Sequence, residues 1–482
     1  MKTVLLRLSG FTVLPLLSLI TPLLMLPVIS NVVGGEGISS VLSGQAIGTF
    51  AATIVMWGWN VDGPVAVARA TRAEERAFVY AKSIRTRILL LVVVIPASAA
   101  VTMLVAVPGF RWEAVAMAWA VACAGMSPSW FCIGLGQPRL LALYDTLPRF
   151  VATAAAVPLL LLTNQLWWYT VLVAAASVGA LIAFHRRFSP GQNWFPSNAP
   201  ASVRELAAQG RTAGISLAGN AYASTPTPIA TASTSAAASG SLATADTLYR
   251  FGIFTIIALG NAFQGWTIEH GANNRRQRHL AAIVAHSGLG LLGAVILTLA
   301  GPFVSSLLFA GKAQATTELC LYFGIAFLFL SASTPFIRNL LIPAGRQNFV
   351  LTWTLVSAAF GLAAMVWAGL AGNAPGIALG MALSEAVLFV SLLIPGWKLM
   401  NHERLIPSLT QPDSVPTVVA VIAAYGPLPT LIGTVRTLLD QVQEVVVVDD
   451  GSPEETESLL MSWRPSASRS CARALTLASR QH

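Results

Sequence analysis

Residues 212–245 form a run of 34 positions without one charged side chain. About 20 residues of helix cross a bilayer, so the run is long enough to span one. It is not greasy: twelve of its residues are Ser or Thr, and Asn220, Tyr222, Pro226 and Pro228 add polar groups and bends. Hydrocarbon offers hydroxyls no partner, so this helix has to face protein or a wet cavity. Two readings stand side by side: a cavity-lining helix, or a packed one whose small residues allow close approach.

The rest of the chain says which solvent it was written for. Of 482 residues, 55% are hydrophobic and 10% charged, against about 25% charged in soluble proteins. Mean hydropathy is +0.69. Apolar runs fall at residues 11–33, 41–67, 88–107, 112–136, 148–162 and 166–184. A second set falls at 212–236, 251–267, 283–307, 319–342, 349–370 and 376–397. The expected fold is therefore an all-α polytopic membrane protein with about twelve transmembrane helices in two six-helix bundles. The apolar run after Lys2 and Arg7 is longer than a signal peptide's, so it reads as an uncleaved first span.

The net charge of +9 does not point to nucleic acid, because the basic residues sit in short loops between the spans. With both termini inside, twenty-one Lys and Arg fall on the cytoplasmic side. Three, Arg111, Arg250 and Lys312, fall outside, and the remaining five lie in the C-terminal tail. That alternation sets the expected orientation in a cytoplasmic (inner) membrane. Residues 1–184 are the first bundle, 185–211 a cytoplasmic linker with Pro190, Pro196 and Pro200, and 212–401 the second bundle. Four cysteines make no framework: Cys123 and Cys132, on one expected helix, are about 13 Å apart, beyond disulfide reach.

Composition shifts after Trp397. Residues 402–415 form a Pro-containing linker. VVAVIA at 418–423 reads as a buried strand, 428–441 as a helix, and 444–448 as a second strand ending at Asp449 and Asp450. This is the opening of a parallel α/β fold. Residues 461–482 do not continue the pattern and read as an unstructured tail.

No P-loop, zinc motif or nucleophile triad occurs, so neither ATP hydrolysis nor enzyme chemistry is expected of the membrane part. His270 and His279 read as interfacial residues of a basic loop. The polar residues of the spans are the candidates. Arg149, Arg250 and Arg338 carry planar multi-donor groups suited to anionic oxygens; positive-inside placement or snorkelling is their bland explanation. Asp62 suits an ion pair or a coupling cation, or is a helix-end carboxylate, and Glu385 is a lesser candidate of that kind. Asn220, Tyr222, Asn261 and Gln264 can hydrogen-bond sugar hydroxyls or neighbouring helices.

Several stretches carry a resemblance. They are ITPLLMLPVISNVVGGEGISSV at 20–41, WGWNVDGPVAVARA at 57–70, SPSWFCIGLGQPRL at 127–140, ADTLYRFGIF at 245–254 and VSSLLFAG at 304–311. Together they resemble the polysaccharide-export flippases of the multidrug/oligosaccharidyl-lipid/polysaccharide exporter superfamily over residues 1–401. The resemblance implies translocation of a lipid-linked oligosaccharide by alternating access, driven by a proton or sodium gradient rather than a bound cofactor. It also implies work beside membrane lipids, a polysaccharide polymerase and glycosyltransferases. Residues 416–460, through VVAVIAAYG and EVVVVDDGSPEE, look like the start of a family 2 glycosyltransferase. That family binds its sugar nucleotide at the positions of Asp449 and Asp450; its later catalytic acids are not in this chain, so an inactive fragment is expected. The alternatives are a membrane-anchored glycosyltransferase and a multidrug exporter of the same superfamily.

The topology has a direct test. Reporter fusions at Gly35, Asn164 and Asn373 should all report the outside, because each follows an odd-numbered span. Two of the three reporting inside would overturn the twelve-span arrangement.

Overall fold

The computed structural model describes residues 2–192, 199–268, 275–402, 419–424, 437, 444–449 and 474–479, with side chains described for most residues between Met25 and Met400. The chain divides into two compact units, Met1–Asn401 and His402–His482.

The first unit is helical throughout its described residues. Helix α1 (Lys2–Met56) joins the first expected span to the second; its one break is Gly34, at φ 65° and ψ −178°. Only glycine takes that conformation at little cost. After the turn at Trp57 and Gly58 come α2 (Trp59–Arg69) and α3 (Ala73–Val105). The fourth span is α4 (Arg111–Ala122), a tight turn at Cys123–Met126, and α5 (Ser129–Gly134), interrupted at Pro128. Cys123 and Cys132 thus fall on either side of a break rather than on one helix. The fifth span begins ten residues earlier than expected: α6 (Pro138–Leu141) runs through a wide π-turn, Ala142–Thr146, into α7 (Leu147–Thr163). Then come α8 (Trp167–Phe188) and, in the linker, α9 (Ala199–Ala208).

The seventh expected span is two short helices, α10 (Gly210–Ala223) and α11 (Pro226–Ser233). Pro226 starts α11, where a missing N–H costs nothing. Helix α12 (Ala236–Ile268) starts well before the expected eighth span, so Arg250 sits near its middle rather than at its outer end. Helices α13 (Arg275–Leu308), α14 (Thr317–Pro335, continued by a π-turn at Phe336–Leu341), α15 (Gln347–Leu370) and α16 (Ala374–His402) complete the unit. Among the described residues ten helical runs are long and apolar enough to cross a membrane. The two fewer than twelve arise because the first pair is continuous and the seventh is broken. The first unit has an all-α polytopic membrane fold.

Four cores position the helices among the described residues, one of them at Phe336, Leu340, Leu388 and Leu392. Of the other three, one centres on Trp59, Tyr80, Trp130, Phe131 and Phe184 in the first half. Another joins Tyr222, Tyr249, Phe323, Met365 and Met381 in the second. A third crosses between halves, where Ile38, Val41 and Met117 pack with Ala243 and Phe309. Nearby, Ser43 Oγ lies 2.8 Å from Thr231 Oγ1, and a Cβ on Gly35 would lie 2.6 Å from the Lys312 carbonyl. The halves are therefore pressed together at this end.

Helix α1 presents two different faces. Gly44 and Gly48, one turn apart, let it lie directly on α4: an added Cβ would come within 2.2 Å of the Ala114 carbonyl and 2.5 Å of the Ala118 carbonyl. Leu42, Gln45, Ala46 and Thr49 fall on the opposite face at the spacing of one helical stripe.

In the second unit β1 (Val419–Ala424), β2 (Glu444–Asp449) and β3 (Ala474–Ser479) form a parallel sheet in the order β1-β2-β3. Strand β3 lies within residues 461–482, which the sequence reading left outside the strand pattern. Asp449 ends β2; its side chain, Asp450 and most of the expected helix at 428–441 lie outside the described residues.

The close approach of α1 and α4 predicts an asymmetry between glycines. Gly44→Ala forces backbone apart and should cost about 1–3 kcal/mol, seen as a lower melting temperature in detergent. Gly288→Ala, with nothing within 4 Å of its added Cβ, should be neutral or stabilising by up to ~1 kcal/mol. Equal melting temperatures for the two variants would rule out this packing.

Candidate functional site

Beyond the contact between halves, α1 and α12 line a central cavity of about 670 Å³ together with α7, α10 and α11. Its wall combines both halves: Gln45, Thr49, Asp145, Thr146 and Arg149 from the first, Asn220, Thr227, Asp246, Thr247 and Arg250 from the second. The uncharged run 212–245 thus does contribute to a polar cavity, through Asn220, Ala223 and Thr227. Its hydroxyls also bond between helices, as Thr231 does to Ser43 and to the Ser39 carbonyl.

The break between α10 and α11 frees carbonyls at the end of α10. Arg250 Nη2 donates to one of them, that of Ala223. A guanidinium at a helix C-terminus is well placed electrostatically. Arg250 Nε also donates to Asp246 Oδ2 at 3.0 Å, and Thr227 Oγ1 donates to the same oxygen at 2.8 Å. Asp246 is 3% exposed, and its Oδ1 is buried with no hydrogen-bond partner.

Arg149 is held in the same way one half away. Its Nη2 lies 2.9 Å from Asp145 Oδ1, and Ser127 Oγ donates to that oxygen at 2.6 Å. The Ser127 carbonyl in turn accepts from Arg87 Nη1 at 2.9 Å, as does that of Gly125 at 3.1 Å. Arg87, counted from sequence among the loop cations, is fully buried in α3 over the Trp130 ring. It satisfies carbonyls that the break before α5 leaves open. A chain of polar contacts therefore runs from the buried Arg87 through Ser127 and Asp145 to Arg149.

Of the residues expected from sequence, Arg149, Asn220 and Arg250 come together in the cavity. Tyr222 does not line it: the side chain is buried and its hydroxyl donates to Glu385 Oε1, leaving Oε2 without a partner. Arg338 and Asn261 form a pair of their own at 2.8 Å; Gly260 makes room for the guanidinium. Neither lines the cavity. Asp62 sits in the first turn of α2, also away from it. Gln264 lies in α12 with its side chain outside the described residues. His279 is buried in α13 rather than in a loop, and His270 lies outside the described residues.

The sequence reading missed Asp145 and Asp246, which leave the cavity with two carboxylates against two guanidiniums. A signal was present. Asp145-Thr146-Leu147-Pro148-Arg149-Phe150 and Asp246-Thr247-Leu248-Tyr249-Arg250-Phe251 differ at one position. The Asp and Arg of each hexapeptide are four apart, one turn along a helix, where opposite charges meet. The hexapeptides lie on the fifth and eighth spans, which do not correspond in a repeat of six plus six.

Comparison with known proteins places this fold. No protein-family model and no curated protein matches the chain. Among solved structures it resembles the lipid II flippase MurJ in an inward closed conformation. That match has a TM-score of 0.61 at 10% identity and covers 83% of this chain and 91% of that one. It also resembles an inward-facing multidrug resistance MATE family transporter of the MOP superfamily. There the TM-score is 0.58 at 12% identity, and coverage is 82% and 99%. The chain has the fold shared by these membrane transporters.

The ion pair on α12 predicts non-additive stability. Arg250→Ala alone strands Asp246 in a buried position and should destabilise more than the double variant with Asp246→Ala. A coupling of about 1–3 kcal/mol is expected in a double-mutant thermal-unfolding cycle. Additive effects would mean the pair contributes nothing as a pair.

Proposed function

We propose that the protein translocates a lipid-linked oligosaccharide, a polyprenyl-pyrophosphate glycan, across a cytoplasmic membrane by alternating access of its two halves. The observation that carries the reading is the cavity between the halves with a guanidinium on each side. About a third of each side chain remains accessible, 34% for Arg149 and 32% for Arg250. A guanidinium has five N–H donors, and the contacts to Asp145, Asp246 and Ala223 leave several over. These suit phosphate oxygens, and the surrounding hydroxyls and Asn220 suit a sugar. Pairing with Asp keeps both cations tolerable inside a bilayer when the cavity is empty. Helix packing at one end, with the cavity beyond it, supports rocking about that contact. The fold shared with a lipid II flippase supports the same reading.

A second reading, export of cationic drugs, is favoured by one feature: Asp246 Oδ1, a carboxylate oxygen without a partner on a residue that lines the cavity. A shared fold with a multidrug transporter supports it equally.

The test is transport by the full chain in proteoliposomes carrying a fluorescent polyprenyl-pyrophosphate oligosaccharide. Arg149→Ala and Arg250→Ala should each slow translocation ~10-fold or more, since lost charge-assisted bonds to a desolvated anion cost several kcal/mol. The corresponding Lys variants should recover only part, a point charge lacking the planar fork. Arg338→Ala, outside the cavity, should stay near wild type. Normal flipping by both cavity variants at equal incorporation would remove the lipid-diphosphate reading. Ethidium efflux lost in Asp246→Asn would then establish the drug reading in its place.

A further inference from the structure

The central cavity has a neighbour. A second, apolar cavity of about 190 Å³ lies inside the first half, walled by α3, the break between α4 and α5, the π-turn, α7 and α8. Two residues line both spaces, Asp145 and Arg149. The polar cavity and the apolar one therefore meet at an ion pair. Any molecule that joins an anionic group to an apolar chain is matched by that arrangement, with its charge on one side of Arg149 and its chain on the other.

The two hexapeptides differ in what borders the ion pair: an apolar groove of about 270 Å³ in the second half is lined by Leu248 of the second copy but reaches neither Asp246 nor Arg250. The single sequence difference between the hexapeptides is the residue before Arg. In the first copy it is Pro148, which has no bulk beyond its ring and lines the apolar cavity. In the second it is Tyr249, 2% exposed, with its ring centroid 5.5 Å from that of Phe323. Tyr249 thus packs into the second-half core beside Arg250, whereas the place beside Arg149 is open. The molecule presents two similar charged sites to one cavity and an apolar recess behind one of them.

We propose that this recess behind Arg149 is a chain subsite, which takes the first isoprenoid units of an amphiphile whose diphosphate lies between Arg149 and Arg250. The proposal rests on the lipid-diphosphate reading given above and adds to it where the chain goes. Ile88 and Leu91 from α3, Met126 and Pro128 from the break before α5, and Leu181 from α8 supply the apolar wall. Cys123 lines the same recess, is half-buried and carries a free thiol, so the recess contains its own reporter.

The experiment uses the full-length protein in phospholipid nanodiscs and four probes: inorganic pyrophosphate and the diphosphates of isopentenol, geraniol and farnesol. Affinity should rise from pyrophosphate to the geranyl compound by at least ~10-fold, the gain expected from burying a few methylene groups. Ala180→Phe, which fills the recess from α8, should abolish that rise while leaving pyrophosphate affinity within about twofold. Ile296→Phe, at an apolar groove on the second half, should leave the rise intact and so exclude simple partition into the disc. Independently of either variant folding, farnesyl diphosphate but not pyrophosphate should slow N-ethylmaleimide alkylation of Cys123, read by peptide mass spectrometry. Pyrophosphate binding as tightly as farnesyl diphosphate, or unprotected Cys123 at saturating farnesyl diphosphate, would overturn the chain subsite alone. No binding of any probe would overturn the lipid-diphosphate reading and the subsite with it.

Discussion

A charge inside a bilayer has to be paired, and much of this molecule follows from how four charges are paired. Asp145 with Arg149 and Asp246 with Arg250 are each one helical turn apart, so each pair forms within its own helix and needs no partner across the cavity. That independence matters to the proposed alternating access, in which the halves would have to move. A salt bridge between halves would hold them in one state and would cost desolvated charge in the other. Pairs that travel with their own helices keep the cavity neutral in every state, while the unused guanidinium donors remain available to a visiting anion. The price is specificity: a cavity lined by both signs is open in principle to anions and cations alike, which is why two transport readings meet at the same residues.

The scaffolding around the pairs is built from small residues and broken helices. Gly44 and Gly48 bring α1 onto the α4 backbone, which anchors one face and frees the other to line the cavity. The interruption after Ala223 exposes a carbonyl that Arg250 fills, and the interruption before α5 exposes carbonyls that Arg87 fills. Non-helical backbone at membrane depth is tolerated where protein groups satisfy it. Here the satisfying groups are the same cations that organise the site, or are linked to it through Ser127 and Asp145.

The fold class was legible because hydrocarbon demands long apolar runs, and the expected spans fall on helix except at the breaks in the fourth and seventh and the turn within the second. The misplaced residues share one cause. Hydropathy marks where apolar side chains begin, not where helices do, so the Ser-rich start of α12 was read as a loop and Arg250 as an outer residue. Arg87 was counted as a loop cation for the same reason, since α3 begins at Ala73, far before its apolar core. Tyr222 suits sugar hydroxyls or a neighbouring helix by its sequence, and its hydroxyl meets Glu385 on α16; that partner is 163 residues away, which no local pattern shows. The ion pairs were missed through attention to cations alone. A carboxylate four residues before each Arg was visible, and it changes the cavity from cationic to balanced.

The asymmetry between the hexapeptides carries the argument one step further. If both copies only held a diphosphate, nothing would distinguish the residue before Arg149 from the residue before Arg250. Proline at that place also has a local role, because it follows the π-turn Ala142–Thr146, in which the normal ladder is already broken and a missing N–H is easily borne. The turn re-aims the chain so that Tyr144 and Asp145 line the recess together with Pro148. At the second copy the helix is regular, and the tyrosine is committed to the aromatic core with Phe323. Irregular backbone in one half and regular backbone in the other thus accompany two nearly identical sequences, one whose ion pair borders an apolar recess and one whose ion pair does not. On the proposal of a chain subsite, the ion pair that borders the apolar recess, and so the side on which a chain would be buried, belongs to the first half.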